Sequence, residues 1–73
     1  MNEKITEKEK EILKYIIQFK SVNGYSPSVR EIAQGVNTKS LNHVYSALED
    51  LRVKEYITFK EKKTRSINVL KFL

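Results

Sequence analysis

The sequence predicts an α+β fold that is mainly α, with three helices followed by a C-terminal β-hairpin. Apolar residues recur at helical spacing until about residue 51, and the spacing changes to that of strands after residue 55. Gly, Pro and Asn interrupt the apolar pattern between these segments. The chain has 73 residues, a length that fits one domain over 1–73.

The first helix is predicted from about Thr6 to Val22. Thr6 and Glu9 have the spacing of a capping box, in which each side chain accepts a hydrogen bond from the other residue's backbone N–H. Gly24 is expected to end the helix in the left-handed conformation. Tyr15 is expected to join the core beside an apolar stripe, which consists of Ile12, Leu13, Ile16, Ile17 and Phe19.

The second helix is predicted to open at Ser28, which forms another capping box with Glu31. It extends for about eight residues, because Gly35 and Asn37 follow. Its inward stripe consists of Val29, Ile32, Ala33 and Val36. Tyr25 and Pro27, in the connector before it, are expected to fix its approach.

After a tight turn at 37–39, Ser40 is predicted to cap a third helix of about four turns. Its inward face is expected to consist of Leu41, Val44, Leu48 and Leu51. The β-rich segments 56–59 and 66–69 then predict two strands around a charged tip at 60–65.

The composition excludes several classes of protein. The chain has no Cys and only two Gly, so it predicts no disulfide, no thiolate metal site and no Gly-rich phosphate loop. No apolar run approaches the roughly 20 residues of a membrane span, so we expect a cytoplasmic protein without membrane contact. The single His43 has no partner for catalysis or metal binding in the sequence, so we expect no enzyme, metal or cofactor.

The formal net charge is +5, and the last 20 residues carry most of it, with six basic and two acidic side chains. Two helices joined by a short turn and followed by a basic hairpin predict a winged helix-turn-helix. Its third helix would present polar side chains to the major groove of double-stranded DNA, and its hairpin would lie along the backbone.

The stretch 23–33, Asn-Gly-Tyr-Ser-Pro-Ser-Val-Arg-Glu-Ile-Ala, closely resembles the N-terminal DNA-binding domain of the LexA (SOS repressor) family. The resemblance extends over about residues 5–70. It implies a winged-helix transcriptional repressor that reads the major groove with its third helix. Family members usually have Gly where Asn37 and Glu55 stand here.

Carried over by position, the resemblance implies base-reading roles for Ser40, Asn42, His43, Tyr45 and Ser46. Ser40 and Asn42 match the residues that family members use to read the operator, whereas the other three positions vary within the family. Candidate contacts to the DNA backbone are Ser28, Arg30, Lys39, Lys60, Lys62, Lys63 and Arg65.

Several side chains have a second interpretation. His43 is either a donor in the groove or ordinary surface, and Tyr45 either contacts DNA or packs against the wing. Arg30 either contacts a phosphate or forms a surface ion pair. The apolar C-terminal residues Leu70, Phe72 and Leu73 either complete the sheet core or form a dimer contact.

LexA repressors continue into a self-cleaving domain that also dimerises, so this chain is expected to be either an isolated domain or a small independent protein. We expect it to load a twofold-symmetric operator as a weak pair and to be mostly monomeric alone. The rival hypothesis is a winged-helix protein-interaction module, such as an antirepressor or adaptor, without base readout.

Overall fold

Three helices and a short antiparallel hairpin follow one another along the part of the chain that the structure describes. This computed structural model describes residues 5–60, 63 and 65–71. The elements are α1 (Glu7–Asn23), α2 (Val29–Gly35), α3 (Leu41–Val53), β1 (Ile57–Thr58) and β2 (Asn68–Val69). The predicted α+β, mainly α, class and its order of elements are confirmed.

Both predicted capping boxes are present. The Thr6 hydroxyl accepts from the Glu9 N–H at 3.1 Å, and the Glu9 carboxylate accepts from the Thr6 N–H at 3.1 Å. Ser28 and Glu31 repeat the arrangement at the start of α2, at 3.1 and 2.8 Å. These bonds satisfy backbone donors that have no partner within the helix.

The turns between the helices use left-handed backbone at Gly24, as predicted, and also at Asn37. Gly24 closes α1 at φ 83°, and its N–H donates to the carbonyl of Lys20 at 2.8 Å. Asn37 has φ 60° in the turn between α2 and α3, a conformation that Asn tolerates better than most residues. Ser40 then caps α3 by accepting from the His43 N–H at 3.2 Å.

The core lies where the three helices and the hairpin meet. Its buried apolar residues are Ile12, Leu13, Ile16, Ile32, Ala33, Val36, Val44, Ala47, Leu48, Leu51, Ile57 and Ile67. Most of the predicted inward stripes are therefore confirmed. Tyr15, Ile17 and Val29 are partly buried and pack against the core.

Leu41 is a correction, because its side chain is 37% exposed rather than part of the inward face of α3. At 100° per residue, Leu41 lies about 70° from the mean direction of Val44, Ala47, Leu48 and Leu51. It also stands at the first turn of the helix. Ala47, which the predicted stripe omitted, is buried in its place.

The hairpin has much shorter strands than the four-residue segments predicted. Ile57 pairs with Val69 and Thr58 with Asn68, in antiparallel register. Beyond these pairs the Ser66 hydroxyl takes over, since it accepts from the Lys60 N–H at 2.8 Å and donates to the Lys60 carbonyl at 3.1 Å. A side chain therefore replaces the backbone ladder toward the tip.

Glu55 has φ 66° in the turn between α3 and β1, where Gly would be relaxed. The left-handed region costs an L-residue roughly 1–2 kcal/mol, partly offset by the extra freedom that Gly has when unfolded. We expect Glu55→Gly to raise the free energy of unfolding by about 0.5–1 kcal/mol in urea denaturation. Asn37→Gly is the matched control. Its free energy of unfolding should rise by less, because Asn already tolerates this conformation. A loss of stability in Glu55→Gly would contradict the explanation.

Candidate nucleic-acid interface

Helix α3 has one side in the core and the other in solvent. Val44, Leu48 and Leu51 are buried, whereas the side chains predicted to read bases are all exposed: Asn42, His43, Tyr45 and Ser46. By helical geometry, Asn42 and Ser46 lie about 150–170° from the direction of the core. Packing in the core fixes the buried side of the helix, and its exposed side carries amide, imidazole, phenol and hydroxyl groups.

The N-terminal end of α3 brings hydrogen-bonding groups and one cation together. The Ser40 oxygen accepts the capping bond from His43, so its hydroxyl hydrogen is still available to a second partner. The Ser40 N–H donates to the Thr38 hydroxyl at 3.3 Å. Lys39 is exposed next to this turn, so the start of α3 can attract an anion.

A groove of about 760 Å³ separates α3 from the hairpin, and the start of α2 also lines it. Its lining combines apolar and cationic side chains, among them Leu41, Tyr45, Phe59, Arg30, Lys60 and Lys63. Both lysines and Arg30 are exposed. The structure thus places candidate contacts to the DNA backbone, from α2 and from the hairpin, around one groove. Helix α3 also borders this groove.

The remaining candidates differ in their surroundings. Ser28 lines the groove, but its hydroxyl oxygen accepts the capping bond from Glu31. Lys62, together with Phe72 and Leu73, lies outside the described residues. Leu70 is exposed, and its N–H donates to the Tyr56 carbonyl at 2.7 Å.

Arg65 also lines the groove, but its guanidinium bonds to the loop and helix beside it. It makes a bidentate pair with the Glu31 carboxylate at 2.8 and 3.0 Å and donates to the Ser26 carbonyl at 3.1 Å. It lies 4.7 Å from the centroid of the Tyr25 ring. Tyr25 in turn packs edge-on against Phe19 on α1. The predicted DNA contact at Arg65 therefore competes with a set of contacts inside the protein.

The pair also affects protonation. Hydrogen bonds from the Arg65 guanidinium and from the Ser28 N–H hold the pKa of the Glu31 carboxyl below its ordinary value of 4.5. Because the folded-state pKa is depressed, this carboxylate contributes stability above pH 4.5 and loses that contribution as pH falls below it. The pair is thus intact at neutral pH.

A second long-range ion pair, between Glu9 and Lys54, was missed by sequence reasoning. The Lys54 ammonium lies 2.7 Å from the Glu9 carboxylate, and the two side chains are 21% and 5% exposed. Burial alone would raise the pKa of Glu9, but hydrogen bonds from Lys54 and the Thr6 backbone outweigh it and lower the pKa. The pair joins the start of α1 to the end of α3 behind the exposed helix face.

None of the helices in the described part of the chain is long and apolar enough to cross a bilayer. No cluster of three or more His, Asp or Glu side chains among residues 5–60, 63 and 65–71 could hold a metal ion.

The chain is similar to known proteins over nearly its whole length. The family model of the LexA DNA binding domain matches residues 2–66. The LexA repressor of Acetivibrio thermocellus is 41% identical over 70 residues, which are 96% of this chain and 33% of the relative. The LexA repressor of Carboxydothermus hydrogenoformans is 35% identical over 69 residues, or 94% of this chain and 34% of the relative. This chain therefore spans about a third of the length of the curated relatives it matches.

Proposed function

Since this chain belongs to the family of LexA DNA-binding domains, as its segment 23–33 predicted, we propose that it binds double-stranded DNA sequence-specifically and acts in transcriptional repression. In this proposal α3 enters the major groove, and the hairpin, here called the wing (residues 57–69), lies on the flanking backbone. The bound site is twofold-symmetric and takes two copies of the chain.

The observation that carries the proposal is the division of α3 into a buried and an exposed side. A helix whose back is held by Val44, Leu48 and Leu51 is fixed in orientation, so its front can be matched to base edges. Asn42 has the amide that pairs bidentately with adenine in the major groove. Base contacts are assigned to the front residues Ser40, Asn42, His43, Tyr45 and Ser46.

Backbone contacts are assigned to the cations around the same groove and at the start of α3. Arg30, Lys60 and Lys63 line the groove between α3 and the wing. Lys39 lies beside the first turn of α3, where the helix dipole also attracts a phosphate. Lys62 and Ser28 are assigned by position to the same role.

Pairing on the DNA follows from the small size of one domain. A single recognition helix reads few base pairs, whereas two copies on a symmetric site double the contacts, and a weak contact between them raises the effective concentration of the second copy. Leu70, exposed after β2, is assigned to that contact. Selection of bound duplexes from a random pool, followed by sedimentation with the selected site, tests both symmetry and stoichiometry.

The experiment for DNA binding is a gel-shift titration at two salt concentrations, in which we expect affinity to fall steeply as salt increases. Replacing Lys60 and Lys63 together by Ala should reduce the slope of log affinity against log salt by about two units, because each lost phosphate contact accounts for about 0.9. The matched control is Lys14→Ala with Lys20→Ala, which removes the same charge from exposed positions of α1. Equal slopes for the two double variants would show that the wing does not contact the DNA backbone.

The exposed Leu41 favours a second candidate function. Together with Tyr45 and Phe59 it gives the groove an apolar component that a protein segment could cover. A winged-helix interaction module of this kind, an antirepressor or adaptor, would show almost no affinity for duplex DNA at either salt concentration. The same titration therefore separates the two functions.

A further inference from the structure

Among the described residues, few backbone bonds join the two strands of the wing. Its two strands contribute two residues each, and an isolated two-stranded hairpin is marginally stable in water. Other contacts must therefore hold the wing beside α3. The buried side chains of Ile57 and Ile67 do so in the core, and the Arg52 guanidinium of α3 lies 5.6 Å from the centroid of the Phe59 ring. A further set of contacts lies where the chain entering β2 touches the loop before α2.

Two residues of that segment bond to this loop. The buried Ser26 hydroxyl donates to the carbonyl of Ile67, whose side chain is in the core. Arg65 donates to the Ser26 carbonyl and pairs with both oxygens of Glu31. The Tyr25 ring lies against the guanidinium, which leaves Arg65 bonded on several sides.

Glu31 connects this contact to α2. One of its carboxylate oxygens accepts from the Ser28 N–H at 2.8 Å and from Arg65 at 2.8 Å, while the other accepts from Arg65 at 3.0 Å. The carboxylate that caps α2 thus also holds the wing. The guanidinium makes two N–H···O bonds to Glu31 and a third to the Ser26 carbonyl. A Lys ammonium cannot reproduce the planar, bidentate pair with Glu31.

We infer that Arg65 and Glu31 form a clamp that positions the wing, and that Arg65 acts on DNA through Lys60 and Lys63. The inference rests on the proposed function, because the wing lysines are the groups that the clamp would place against phosphates. Ser66 transmits the position, since its hydroxyl bonds to both backbone groups of Lys60. Arg65 is then a positioning residue, and Glu31 is one too.

The deciding experiment removes the negative charge of Glu31. Glu31→Gln keeps an oxygen for the capping bond to Ser28 but loses the charged, bidentate acceptor. Charge alone predicts tighter binding to polyanionic DNA, because the protein becomes more positive. The clamp predicts the opposite, about tenfold weaker binding near 0.1 M salt and a salt slope smaller by one to two units, although no basic residue has been removed.

Glu11→Gln is the matched control, because it makes the same charge change at an exposed position of α1. It should leave the slope unchanged and bind DNA as well as the parent chain or slightly better. If Glu31→Gln behaves like Glu11→Gln, the clamp is rejected.

Arg65→Lys separates positioning from direct contact. A phosphate contact would survive this substitution with little loss, whereas the clamp predicts a loss like that of Glu31→Gln. When Glu31→Gln and Arg65→Lys are combined, the clamp predicts no further loss of DNA affinity, because both changes break the same contact. Additive losses would assign Arg65 to the DNA.

A measurement on the free protein keeps the clamp testable apart from DNA binding. Backbone amides of 57–60 and 65–69 should gain fast motion in ¹⁵N relaxation of Glu31→Gln, while those of α1 and α3 should not. Unchanged wing amides would reject the clamp. If the parent chain bound no duplex, the proposed function would fail, and these amides would still report whether the clamp holds the wing.

Discussion

Leu51→Ala is expected to lose a large part of the stability of the fold. Leu51 is fully buried in the core, and truncating a buried Leu costs about 2–5 kcal/mol, because apolar contact is lost and a cavity remains. A chain of this length has about 4–11 kcal/mol of stability in all. The melting temperature should fall by at least about 10 °C, measured by circular dichroism at 222 nm.

Val53→Ala is the matched control on the same helix, because Val53 is 71% exposed. Its free energy of unfolding should stay within about 0.5 kcal/mol of the parent value. If both variants lost similar stability, burial would not explain the effect, and the assignment of the core face of α3 would be wrong.

Asn42→Ala is expected to lose about 1–3 kcal/mol of binding free energy on the selected site and much less on random duplex. Asn42 lies opposite the buried side of α3 and is exposed, so its loss should leave the core intact. Fluorescence anisotropy with the two duplexes gives both affinities.

Gln34→Ala provides the control for Asn42. It removes a similar amide from an exposed position of α2 and should bind both duplexes like the parent chain. If Asn42→Ala lost equal affinity on selected and random DNA, Asn42 would contact the DNA backbone or support the fold rather than read a base.

The helices were predictable because their signals are local. Thr6 with Glu9 and Ser28 with Glu31 lie three residues apart, and the turn at Gly24 depends on one residue. The error at Leu41 came from extending the stripe to the helix end, where a spacing of three residues drifts around the helix axis. The strands were predicted too long because the bonds of the Ser66 side chain leave no trace in the apolar pattern.

The candidate site was predicted less completely, for a different reason. Exposure of Asn42 and its neighbours follows from the burial of the opposite face, which the sequence displays. The partners of Arg65 and Lys54 lie 34 and 45 residues away along the chain. No periodicity links residues so far apart, so the charge of Arg65 was visible in the sequence and its contact with Glu31 was not.

The two-residue strands also bear on self-association through the backbone. In a two-stranded sheet both strands are edges, and an exposed edge can pair with another chain and start aggregation. Here each strand contributes only two residues, and Ser66 occupies both backbone groups of Lys60 at the end of the ladder. Exposed Lys60 and Lys63 would also repel a second wing. Few backbone groups of the described strands are therefore free to pair with a strand of another chain. The hairpin can stay exposed at high protein concentration without starting aggregation.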